Sequence, residues 1–176
     1  LFLFILSVLL LYSCFDLTEA PKTEEDILPA LTQEGKGTFG FKINEAIWIP
    51  KGYKGESEAF YYPWSISKDL YGRLQIRANQ NDNESAVVFR TTNVYGPGKY
   101  FVYQQSSEHK TLIYYERKVG FYYRYALDTN NFVIIDKLDT IARIVSGRFQ
   151  FNVINDSNVF DTVKIVDGRF DMKYSY

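Results

Sequence analysis

The stretch Thr38-Phe39-Gly40-Phe41-Lys42-Ile43-Asn44-Glu45-Ala46-Ile47-Trp48-Ile49 decides the fold class. Phe39, Phe41 and Ile43 alternate with small or polar residues, the period of a strand with one buried face. The alternation breaks at Asn44-Glu45 and returns through Ile47 and Ile49. A β-hairpin with a two-residue turn is therefore predicted here.

The same period continues toward the C-terminus. Pro50, Gly52 and Gly55 mark a loop. Phe60, Tyr62, Trp64 and Ile66 then share one strand face, and Leu70, Gly72, Leu74 and Ile76 share the next, which turns Tyr71, Arg73, Gln75 and Arg77 the other way. The polar run 79–84 leads into a strand over 86–92, and Tyr95-Gly96-Pro97-Gly98 turns the chain into another over 100–104. Further strands are expected over 111–116, 121–127 and 132–136. After Cys14 no 3.6-residue apolar period lasts beyond a turn or two. Short strands between regularly spaced turn signals predict an all-β domain over residues 36–176, an antiparallel sandwich or barrel-like sheet of about ten strands. The lack of crossover helices disfavours a parallel sheet.

Composition points the same way. The 15 Tyr, 14 Phe and 2 Trp make 18% of the chain aromatic against a single Met, which favours strands over helices. A formal net charge of -1, with Lys and Arg scattered, provides no clustered positive footprint, so nucleic acid is not an expected partner.

The C-terminal part repeats itself: Ile144-Val145-Ser146-Gly147-Arg148-Phe149 returns as Ile165-Val166-Asp167-Gly168-Arg169-Phe170. Each copy reads as a strand whose glycine permits a bulge or bend, and Asn155-Asp156-Ser157-Asn158 supplies a turn between them. Two paired strands are predicted. Similar edge geometry selecting similar residues explains the match most simply, with a shared ligand site as the alternative.

At the other end, residues 1–13 are uncharged and mostly apolar and run into Leu11-Tyr12-Ser13-Cys14, with the chain's single cysteine. A membrane-spanning helix needs about 20 apolar residues, and Asp16 and Glu19 stop this run before that. It reads as the apolar part of a lipoprotein signal peptide, cleaved between Ser13 and Cys14. Cys14 would then carry acyl chains, each buried methylene contributing ~0.8 kcal/mol to membrane binding. The chain from Cys14 to residue 35 reads as an acidic tether, in which Asp16, Glu19, Glu24, Glu25 and Asp26 outnumber Lys22. The membrane is thus an expected partner through Cys14. The expected location is a bacterial cell envelope, periplasmic or surface-facing.

Three segments, Gly37-Thr38-Phe39-Gly40-Phe41-Lys42-Ile43-Asn44 through Trp48, Ser146-Gly147-Arg148-Phe149-Gln150-Phe151, and Val163-Lys164-Ile165-Val166-Asp167-Gly168-Arg169-Phe170-Asp171, carry a resemblance. Together with the lipobox they resemble small lipoproteins of Bacteroidetes-type bacteria, a family of unknown function. The resemblance covers the two ends of the mature domain. It implies an outer-membrane-anchored β-domain and brings no catalytic residue with it. Many members have Asn-Gly where this chain has Asn44-Glu45.

Little in the sequence points to chemistry. The one histidine, His109, sits in the polar run Ser106-Ser107-Glu108-His109-Lys110, and no Gly-x-Ser-x-Gly occurs. The histidine and cysteine counts exclude a zinc site built from those residues, and no cofactor or metal is expected. The pairs Asp136/Asp139 and Asp167/Asp171 read as turn and edge residues, the alternative being acid/base hydrolysis of a glycoside. What remains is a surplus of rings on both faces of several strands. If one face packs inward, the other exposes Tyr61, Tyr71, Tyr115 and Tyr122 near Arg73, Arg77 and Arg124. That Tyr-with-Arg mix is enriched where surfaces bind partners. A closed or double-layered sheet would instead bury both faces. Three roles stay open: a binding module without catalysis for a glycan or an envelope protein, an envelope hydrolase using paired carboxylates, and a structural envelope lipoprotein.

Overall fold

Asn44 and Glu45 both take left-handed backbone, at φ 49° and 66°, as a two-residue hairpin turn requires. They join β1 (Thr38–Ile43) to β2 (Ala46–Trp48), which pair antiparallel with Phe41 opposite Trp48. The structure, a computed structural model, describes residues 27–51, 57–63, 72–80, 85–101, 112–118, 121–125 and 130–176. The apolar leader with Ser13 and Cys14, the tether up to residue 26, and Trp64, Ile66, Tyr71 and His109 lie outside the described residues.

Nine further strands follow: β3 (Ser57–Tyr62), β4 (Arg73–Gln80), β5 (Ser85–Thr91), β6 (Gly98–Phe101), β7 (Leu112–Lys118), β8 (Phe121–Tyr125), β9 (Phe132–Asp139), β10 (Ile144–Asn155) and β11 (Asn158–Ser175). The all-β expectation is met, and the self-matching segments are the paired strands β10 and β11. They are not edge strands. They form the centre of one layer, β2-β1-β11-β10-β9-β6, while β3-β4-β5-β7-β8 forms the other.

The layers meet across a phenylalanine cluster. Phe89 of β5 lies 6.5 Å from Phe39, 4.9 Å from Phe149, 5.3 Å from Phe151 and 6.0 Å from Phe170, ring centre to ring centre. Offset and edge-on contacts of this kind add about 0.5–1.5 kcal/mol per pair beyond the burial of area. The long β10–β11 hairpin closes the ring at two seams. Its β10 arm passes to β8 at residues 153–155, and the end of β11 passes to β3 through Tyr174 opposite Ala59 and Ser175 opposite Phe60. The second seam is parallel, so the sheet is mixed where an antiparallel one was expected. No crossover helix is needed there, because nearly the whole domain connects β3 to β11.

The folded unit also takes in residues that composition assigned to the tether. Asp171 of β11 is 1% exposed, and its carboxylate accepts hydrogen bonds from Thr32 Oγ1 at 2.5 Å and the backbone N–H groups of Gly35 at 2.7 Å, Glu34 at 3.0 Å and Lys36 at 3.3 Å. The backbone N–H of Gly37 donates to the Asp171 carbonyl at 2.8 Å. One buried carboxylate thus fastens residues 32–36 to the sheet.

Candidate functional site

The two copies of the repeat pair with each other about a local two-fold. Arg148 stands opposite Arg169, Gly147 opposite Phe170, and Phe149 opposite Gly168. Each phenylalanine ring covers the glycine across the ladder. A Cβ on Gly168 would come within 2.5 Å of the Phe149 ring, and one on Gly147 would meet the Phe170 ring at 2.8 Å and the Ile134 carbonyl oxygen at 2.1 Å. The match in sequence therefore reflects interlocking ring-over-glycine packing, which leaves the intervening arginines on the outer face.

Two bulges flank that arginine pair. Against β11 the register of β1 slips between Arg169 and Val166 and that of β10 between Gly168 and Ile165, and both spans include Asp167, which takes φ 53°. The β9–β10 register slips between Ile135 and Lys137, setting Asp136 apart. A bulge re-aims the side chain it carries. Here the two carboxylates meet cations: Asp136 takes Arg148 in a two-point grip, at 3.0 Å from Nε and 2.7 Å from Nη2, and Asp167 takes Lys42 at 2.8 Å. Among the described residues Arg169 has no such carboxylate grip; it donates from Nε to the Asp167 carbonyl at 3.3 Å and from Nη1 to the Pro29 carbonyl at 3.2 Å.

Between these groups the outer face holds a groove of about 300 Å³. Phe132 and Ile134 of β9 line it together with Arg148, Phe149 and Gln150 of β10. Asp167, Gly168 and Arg169 line it from β11, and Leu31, 57% exposed, from the fastened N-terminal segment. The ionic groups that line the groove, Arg148 and Arg169 against Asp167, sum to one positive charge; behind them Arg148 pairs with Asp136, and Lys42 pairs with Asp167 and also feels Glu45. The groove is an apolar slot with a guanidinium that binds only carbonyl oxygens, a few polar groups among mostly apolar walls as in small-ligand sites.

The residues that the sequence suggested for binding are distributed differently. Tyr61 and Tyr115, expected on an outward face, are 3% and 5% exposed and belong to the core. The two-layered architecture is the reason: β3 points Ala59 and Tyr61 inward, where the Tyr61 hydroxyl donates to the Val94 carbonyl at 2.8 Å. Tyr71 lies outside the described residues. Arg73 stacks over Tyr62 at 4.3 Å, and Arg77 is exposed, both on β4. Tyr122 and Arg124 are exposed on β8, Arg124 pairing with Asp156 at 2.9 Å. β5 and β7 separate β4 from β8, so these side chains form no single patch. Sequence reasoning missed the groove, although the shared arginine of the two repeats was its signal.

The candidate carboxylate pairs are occupied. Hydrogen bonds from the backbone N–H groups of Ala142 and Ile141 hold Asp139 below the usual carboxylate range, and Lys42 does the same for Asp167. Burial pushes the Asp171 carboxyl up, but the bonds from Thr32 and residues 34–36 outweigh it and keep the group low. A general acid needs the opposite shift. The chain matches no protein-family model, and the comparisons with curated proteins and with solved structures found no match.

Proposed function

We infer that this chain is a lipid-anchored β-domain of a Bacteroidetes-type cell envelope that binds a ligand or partner and performs no chemistry. The observation that carries the binding part is the outward groove between two bulges, where Arg169 binds only backbone carbonyls beside an apolar floor. Positive φ at the non-glycine Asp167 is the kind of local strain that collects at ligand sites. The depressed carboxylates speak against the hydrolytic reading. The anchor rests on the lipobox ending in Cys14, and the acidic residues after it would hold the domain away from an anionic lipid surface.

Two measurements test the two parts. Feeding cells labelled palmitate should mark the wild-type chain and leave Cys14→Ala unlabelled; label on the variant refutes the anchor. A screen of the full chain in lipid nanodiscs against glycans, peptides and envelope extracts should return a saturable ligand. Turnover of a substrate with no binding would refute the second part.

A further inference from the structure

The groove's chemistry narrows what it takes. Resting on the reading of this groove as a binding site, we propose that its ligand presents a single carboxylate on a compact apolar body, the carboxylate meeting Arg169 and the body lying on Phe132, Ile134 and Leu31. Three observations lead there.

Charge comes first. Arg148 is gripped at two points by Asp136, and the Asp167 carboxylate is held by Lys42, so Arg169 is the cation of the groove without a carboxylate grip among the described residues. Its present partners are carbonyl oxygens at 3.2 and 3.3 Å, and a guanidinium exchanges such contacts favourably for a carboxylate, whose two oxygens match its fork. Second, Leu31, Phe132, Ile134 and Phe149 give the groove an apolar side, with Gln150 as the one neutral polar side chain of the lining, which suits an apolar body. Third, about 300 Å³ holds a body the size of one or two apolar residues and no long acyl chain.

Two sources present this chemistry, a free short-chain acid and the C-terminal residue of a peptide. The test uses the full chain in nanodiscs, with empty nanodiscs as the blank, and ligand-observed saturation-transfer NMR with titration. The probes are 4-methylpentanoate, N-acetyl-leucine, a tripeptide ending in leucine with a free carboxylate, and the primary amide of each. All or some of the acids should bind saturably with their amides at least about tenfold weaker, and Arg169→Gln should remove that preference while Arg77→Gln on the distant β4 keeps it. Preference for 4-methylpentanoate identifies a free acid and preference for the tripeptide a chain end, each supporting the proposal.

Equal binding of acids and amides overturns the proposal; if Gln150→Trp, which fills the groove, then abolishes binding, the groove itself stands as a site. Absence of binding by every probe also overturns it, and the broad screen above still decides whether the domain binds anything.

Discussion

Asp171 shows how much a single side chain can organise. Its carboxylate satisfies four donors of a segment that belongs to no strand, and replacing one oxygen takes this partner from one or more of them. Asp171→Asn should cost about 1–3 kcal/mol in urea unfolding at neutral pH and make residues 27–36 the first site of proteolysis. Because the folded carboxyl is held below its unfolded value, its contribution is present above the ordinary carboxylate range and is lost as pH falls through the folded value. The gap between wild type and Asp171→Asn should therefore close in acid. Gly147 and Gly168 make a second residue-scale case, since an added Cβ meets fixed backbone at the first and a core ring at the second. Gly147→Ala should destabilise by more than about 3 kcal/mol, and Gly168→Ala by less, because a ring can shift and a β9 carbonyl cannot. Neither effect was legible in the sequence. Polar composition marked residues 14–35 as tether because nothing local announces a carboxylate far along the chain.

At the scale of elements, the hairpins read well. Asn44-Glu45 and Asp156-Ser157 turn where the alternation breaks, and β5, β8 and β9 begin within a residue of their expected starts, while β4 begins at Arg73 and not at Leu70. Period two fixes which residues share a face, but it does not say which face is inside when both carry rings. That is why Tyr61 and Tyr115 were expected outside and are found in the core. The burial of Trp48 and Ser85 is likewise settled between elements, by a chain in which Trp48 Nε1 donates to Ser85 Oγ at 3.0 Å and Ser85 donates to Gln80 at 3.2 Å. The β1–β2 turn offers an element-scale test. Glu45 at φ 66° occupies the place where glycine is favoured, so Glu45→Gly should raise stability by roughly 0.5–1 kcal/mol in thermal or urea unfolding.

The whole molecule is held closed at its narrowest seam by tyrosines. Tyr61 of β3 meets Tyr174 of β11 edge-on at 5.3 Å, where β11 changes partner to β3. Burial raises both phenols, Tyr174 to about 12. A phenol raised above its unfolded value of 10.0 contributes fully below that pH and loses its contribution as pH climbs toward 12. Alkaline titration followed by tyrosinate absorbance should show late-ionising phenols whose ionisation coincides with opening of the β3–β11 seam, and Tyr174→Phe should delay that opening. Val159 and Phe160, the latter 93% exposed, lie near the β10–β11 tip, outside the groove's lining. The outward concavity that matters is the one on β9, β10 and β11, and the repeated Gly-Arg-Phe brings its two arginines together. Its role is tested most directly by titrating any ligand recovered from the broad screen against wild type and Gln150→Trp. Binding should be saturable in wild type and lost when the groove is filled, whereas equal affinity in a folded Gln150→Trp chain would contradict the account.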